Sequence, residues 1–94
     1  MKPDLKAVSL FFHALSDEGR MRLVMLLEGG EKSVTELSEL SGEKIVNVSA
    51  KLRDLLYHRL VVRRREGRKM MYSLADNHVA DIIRNACEHI SEDH

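Results

Sequence analysis

The chain has 94 residues, with 15 basic and 15 acidic side chains that cancel at neutral pH, five histidines and one cysteine. A domain of this size buries about two-thirds of the surface its unfolded chain exposes, so its stability margin is narrow and a second copy would supply core that one copy cannot. No apolar run approaches the ~20 residues of a membrane span, and the opening Met1-Lys2-Pro3-Asp4 lacks the apolar stretch of a signal peptide. The lone Cys87 excludes an internal disulfide and any Cys-x-x-Cys metal site. Together these features predict one soluble cytoplasmic domain over residues 1–94, with no membrane partner.

Apolar spacing divides the chain into elements. Leu5, Val8, Phe11, Phe12 and Leu15 recur at helical intervals behind Asp4, predicting a first helix over about 4–15 with one apolar stripe. Ser16 is expected to cap a second helix, apolar on more than one side through Met21, Leu23, Val24, Leu26 and Leu27, which Gly29-Gly30 ends; it is the expected buried centre. Ser33-x-x-Glu36 reads as a capping box that opens a short third helix through Leu37 and Leu40, stopped at Gly42. A fourth helix follows from about Val46 to His58, with Val48, Leu52, Leu55 and Leu56 inward and Asn47, Ser49, Lys51 and Arg53 free to point out. Leu60 to Arg65 and Lys69 to Leu74 then form a hairpin turning at Gly67, and a last helix over about 76–91 carries Val79, Ile82, Ile83, Ala86 and Ile90.

The order α-α-α-α-β-β-α, mainly helical with one hairpin, is that of a winged helix-turn-helix: a short helix, a glycine-bearing turn and a second helix with polar outward positions. Charge supports this reading. Lys51, Arg53, Arg59, Arg63, Arg64, Arg65, Arg68 and Lys69 cluster on the fourth helix and hairpin against only Asp54 and Glu66, whereas the stretch after Ser73 holds Asp76, Asp81, Glu88, Glu92 and Asp93 against Arg84. The basic hairpin is thus the expected wing, with Arg63, Arg64, Arg65, Arg68 and Lys69 on backbone phosphates, while Asn47, Ser49, Lys51 and Arg53 approach double-stranded DNA from the recognition helix. No His-Glu-x-x-His, phosphate-cradling glycine loop or nucleophile with a placed base points to an enzyme.

The residues also resemble a family. Phe11-Phe12-His13-Ala14-Leu15-Ser16-Asp17-Glu18-Gly19-Arg20, then Val48-Ser49 with Leu52-Arg53, then Leu60-Val61, then Gly67-Arg68 with Tyr72-Ser73-Leu74 resemble the ArsR/SmtB repressors over nearly the whole chain. The resemblance implies a dimeric winged helix whose first and last helices form the interface, bound to an inverted-repeat operator. Many members carry Pro where this chain has Glu18, and Glu43-Lys44-Ile45-Val46 is a less polar opening to the recognition helix than is usual.

The last helix carries four metal-ligand types, Asp76, His78, His89 and Glu92. His89 and Glu92 share a helix face, but His78 and His89 are roughly 16 Å apart along the axis, so one helix cannot bring both to one ion. Two antiparallel copies would place Asp76 and His78 of one chain beside His89 and Glu92 of the other, in two equivalent sites. Two imidazoles and two carboxylates suit zinc or cobalt, whereas copper(I) or arsenic would want thiolates. The pattern matches the zinc-sensing branch of the family, whose other common site, a cysteine pair opening the third helix, is missing from Ser33-Val34-Thr35-Glu36-Leu37. By the same resemblance, His89 would pass the signal through its second ring nitrogen to a backbone carbonyl near Arg59.

Other residues are read plainly. His13, His58 and His94 are expected at a helix edge, a helix end and a frayed tail, Cys87 in interface packing, Met21, Met25, Met70 and Met71 in the core, and Lys44, Glu31 and Lys32 at the surface. Two alternatives stay open at this point: a repressor without a metal switch or with a thiol signal at Cys87, and a winged-helix module that meets an acidic protein.

Overall fold

The computed structural model describes residues 2–92. His94, expected in a frayed tail, and the acidic Asp93 lie outside the described residues. Helix α1 spans Leu5–Leu15 and is capped by Asp4, whose carboxylate accepts the Ala7 N–H at 3.1 Å. The Ser16 hydroxyl donates to the His13 carbonyl at 2.6 Å, so it closes α1 rather than opening the next helix. The cap of the second helix is instead Asp17. Its backbone is extended and its carboxylate accepts the Arg20 N–H at 2.9 Å, starting α2 at Glu18–Leu27.

After α2 the chain forms a two-residue strand, β1 (Lys32–Ser33), and then α3 (Val34–Ser41). The capping box holds as expected: the Ser33 hydroxyl accepts the Glu36 N–H at 3.2 Å, and the Glu36 carboxylate accepts the Ser33 N–H at 2.9 Å. Those bonds hold the Glu36 carboxyl below its ordinary range. Gly42 ends α3 in the left-handed region at φ 77°, where a side chain would be strained. Helix α4 (Ile45–Tyr57), strands β2 (Val61–Glu66) and β3 (Lys69–Leu74), and helix α5 (His78–Ser91) follow.

The sheet is antiparallel in the order β1-β3-β2, with Val61 opposite Leu74 and Glu66 opposite Lys69 in the hairpin. Strand β1, which the sequence reading did not anticipate, pairs Lys32 with Tyr72 and Ser33 with Met71. Two residues are too few to show alternation; this strand exists because β3 has a second edge to satisfy.

Helix α2 crosses the centre, with Leu23, Val24 and Leu27 buried against Leu37 of α3, Val48, Leu52 and Leu55 of α4, Tyr72 of β3 and Val79 and Ile83 of α5. Each such side chain contributes about 1.5–3 kcal/mol on burial. The terminal helices are different. On α1 only Ala14 and Leu15 are buried, while Leu5 is 74% and Phe12 50% exposed; on α5, Ile90 is 79% exposed. Between these two helices open two cavities of about 590 and 370 Å³, the first bordered by Val8, Phe11, Arg59, Asp76 and His78, the second by Phe12, Ile83, Cys87 and Ile90. The radius of gyration, 14.0 Å, exceeds the ~12 Å of a compact domain this long. Apolar surface on α1 and α5 is therefore left over once the single chain has folded.

Candidate DNA-contacting face and metal-ligand pairs

Helix α4 lies after a turn that is itself well fixed. The Ser38 hydroxyl donates to the Glu43 carbonyl at 2.6 Å, and the Glu43 N–H donates to the Ser41 hydroxyl at 3.2 Å. Lys44 occupies the N-cap with an extended backbone and gives no side-chain cap, so the positive end of the helix dipole is open to an anion. Asn47 and Arg53 are exposed on this helix and Ser49 is half-buried. Lys51 does not point out with them. Its Nζ donates to Glu43 Oε1 at 3.0 Å, and both side chains are about three-quarters buried.

Arg20 locks α4 to the helices beneath it. Its Nε donates to the Ala14 carbonyl at 2.6 Å, and its Nη1 lies 3.6 Å from Asp54 on α4. Arg20 closes the Phe11–Arg20 run that carries the family resemblance, but nothing in its spacing marks this structural role.

On the hairpin, side chains alternate: Val61, Arg63 and Arg65 share one face, and Val62, Arg64 and Glu66 the other. Arg63, Arg65, Arg68 and Lys69 are exposed along the strands and turn, with Gly67 left-handed at φ 62°. Arg64 is already engaged. Its guanidinium donates to both Glu31 oxygens, at 2.8 and 2.5 Å, and to Glu66 at 2.7 Å. The pairing holds the Glu31 carboxyl below the ordinary carboxylate range and the Arg64 guanidinium more firmly protonated. Glu31, read as plain surface, instead ties the middle of β2 to the loop after α2. Next along that loop Glu28 pairs with Arg84 of α5, which also reaches Asp81 at 3.0 Å.

The four candidate ligands fall into two pairs at opposite ends of α5. Asp76 lies just before the helix; its Oδ1 accepts the His78 N–H at 2.9 Å and stands 3.4 Å from His78 Nδ1. Both side chains are exposed. His89 is in the last turn and Glu92 is the C-cap residue. Among the described residues no single-chain cluster of three His, Cys, Asp or Glu could hold a metal ion, as the helix rise requires. Arg59, at φ 62° the one non-glycine residue with left-handed backbone among the described residues, borders the same cavity as Asp76 and His78. It is thus near the first pair of its own chain. His13 and Cys87 are exposed, and His58, the C-cap of α4, is half-buried.

A short helix, a fixed turn, a second helix and a basic two-stranded hairpin, flanked by helices with leftover apolar faces, define a winged helix-turn-helix. No family model matches the chain, but curated relatives and solved structures do. It is 43% identical over 82 residues to a transcriptional repressor SmtB homolog of Synechocystis, covering 87% of this chain and 62% of that one. It is 38% identical over 82 residues to the transcriptional regulator NmtR of Mycobacterium tuberculosis, covering 87% of this chain and 68% of that one. The solution structure of a homodimeric winged helix-turn-helix DNA-binding domain from Mycobacterium bovis, a possible ArsR-family regulator, superimposes with a TM-score of 0.85 at 27% identity, covering 100% of this chain and 96% of that one. The chain belongs to the ArsR/SmtB family of transcriptional regulators. It spans about three-fifths of the length of the Synechocystis repressor, and no described helix is long and apolar enough to cross a membrane.

Proposed function

We propose that the protein is a cytoplasmic transcriptional repressor that binds an inverted-repeat operator as a homodimer and releases it when zinc, or a similar ion such as cobalt, binds across the paired α5 helices. The observation that carries this reading is the division of the ligands: Asp76 and His78 sit together at one end of α5, and His89 and Glu92 at the other. A two-fold-related antiparallel α5 joins one pair to the other, and the apolar surface on α1 and α5 gives the second copy a reason to be there. On this reading residues 1–94 act as one domain, with helices α1 and α5 as its interface.

The donor set fits the ion. Asp76 and His78 of one copy with His89 and Glu92 of the other would hold it, two neutral imidazoles and two carboxylates suiting a tetrahedral zinc or cobalt centre. When bound, the ion supplies a cross-link between the two copies and no reaction. In such a dimer His89 of one copy would approach Arg59 of the other, so that its second ring N–H could reach a carbonyl near the left-handed Arg59 backbone, where α4 passes into β2. On the DNA side, Asn47, Ser49 and Arg53 approach the groove, and Arg63, Arg65, Arg68 and Lys69 the phosphates. The relation is reciprocal: the ion weakens DNA binding by the factor by which DNA weakens ion binding.

The test is a zinc titration into the protein bound to a fluorescent inverted-repeat duplex obtained by in vitro selection. Release should be complete at one ion per chain. Unchanged affinity at saturating zinc would leave a repressor without this switch. Absence of any salt-sensitive DNA binding would instead favour a protein-interaction role for the wing.

A further inference from the structure

Lys51 is the one lysine of the recognition helix, and its placement differs from that of a phosphate contact. Its stem runs back from α4 across the first turn of α2. A Cβ added at Gly19 would come within 2.3 Å of Lys51 Cε and 3.1 Å of Cδ, so a side chain there would push the flexible end of the lysine out of its present seat. Its ammonium then reaches Glu43 Oε1 at 3.0 Å, on a residue whose backbone is fixed at both its N–H and its C=O by Ser41 and Ser38. The other carboxylate oxygen, Glu43 Oε2, is buried and makes no hydrogen bond to another described residue. A buried carboxylate oxygen left without a partner is costly, and replacing a buried ion pair by apolar side chains is often neutral or stabilising. The placement does have one specific effect: it pins α4 to the turn before it and to α2 beneath, at the end of the recognition helix that carries Asn47 and Ser49.

We propose that Lys51, seated over Gly19 and paired with Glu43, is a positioning residue that sets the angle at which α4 enters the groove, and so controls sequence discrimination rather than phosphate affinity. The proposal rests on the DNA-binding reading above and refines it. A phosphate contact and a positioning contact differ in what their loss does. Losing a phosphate contact weakens binding to all sequences alike and lowers the dependence of log affinity on log salt by ~0.9. Losing a positioning contact leaves that dependence unchanged and weakens only the specific complex, where side chains must meet base edges in register.

The experiment compares the wild type, Lys51→Met and Gly19→Ala on the selected duplex and on a scrambled duplex of the same length and composition, across a salt series. Gly19→Ala keeps both charges and favours the α2 helix, but evicts the lysine end from its seat; it keeps the test open if Lys51→Met fails to fold. Both variants should lose about tenfold on the selected duplex, the size of one mismatched base pair, while matching the wild type on the scrambled duplex in affinity and salt slope. Equal losses on both duplexes with a reduced slope would make Lys51 a phosphate contact and overturn the proposal. So would two variants indistinguishable from the wild type on both. A wild type with no salt-sensitive binding to either duplex would defeat the DNA-binding reading itself.

Discussion

Asp76 and His78 meet at the entrance to α5, where one carboxylate oxygen both accepts the His78 N–H at 2.9 Å and stands 3.4 Å from its imidazole Nδ1. Asp76 therefore does two separable things: it satisfies an open N–H of the first helical turn and it puts a negative charge beside a ligand-type nitrogen. Asp76→Asn keeps a side-chain acceptor for the N–H and removes the charge. The variant should melt within ~0.5 kcal/mol of the wild type and bind zinc at least ~10-fold more weakly, as read by calorimetry on the same protein. Equal zinc affinity would remove Asp76 from the ligand set.

The Glu31–Arg64 pair gives a pH dependence with a definite sign. Arg64 lowers the Glu31 carboxyl below its ordinary value of 4.5, so the folded state holds the ionised form more tightly than the unfolded chain does. The pair's contribution is present above pH 4.5 and disappears as the pH falls below it. Thermal melts of the wild type and Glu31→Gln should differ at pH 7 and converge in acid. Both side chains are partly exposed, so the difference should also shrink in high salt. A gap that persists at low pH would assign it to packing instead.

Ile90 is 79% exposed on α5, and Phe12 half exposed on α1. In an isolated chain a charge at Ile90 would disturb little, because water already surrounds the position. In a dimer built on α1 and α5 it would be buried without a partner, at a cost of several kcal/mol. Sedimentation should therefore find Ile90→Glu monomeric at concentrations where the wild type is dimeric, with far-UV circular dichroism retained. A dimeric Ile90→Glu would move the interface elsewhere.

Leu52 is fully buried beneath α4, among Val48, Leu55 and the α2 leucines. Truncation to alanine should cost about 2–5 kcal/mol, a large share of the stability of so small a domain, measurable by urea unfolding of the dimer at fixed protein concentration. A loss below ~1 kcal/mol would mean that the core under α4 relaxes to fill the space the leucine leaves.

Much of the fold was legible in the sequence because it is written locally. The Ser33-x-x-Glu36 box, the stop at Gly42 and the Gly67 hairpin are each decided by neighbours within four residues. What was not legible depends on distant partners. Strand β1 exists through Tyr72 and Met71, and Glu31 finds Arg64 33 residues away. Lys51 lies on the inner flank of α4 with its end seated over Gly19, and nothing in the spacing of α4 indicates that. The periodicity of α1 and α5 marked apolar stripes correctly but could not say that part of each stripe is left uncovered by the chain itself. For the ligands, helical rise alone gave the separation of His78 from His89 and hence the need for a second copy, while the 3.4 Å approach of Asp76 to His78 required coordinates.

The most direct test of the central claim is complementation between two crippled chains. One carries Asp76→Ala and His78→Ala, the other His89→Ala and Glu92→Ala; each alone retains only half-sites and should bind no zinc tightly. Differently tagged chains are refolded together and the mixed dimer is isolated. If the site is shared between copies, that dimer has one site with all four ligands and one with none, so it should bind a single cobalt ion with the absorption of a tetrahedral centre. Failure of the mixed dimer to bind, or full binding by either variant on its own, would contradict a metal site formed across the α5 helices.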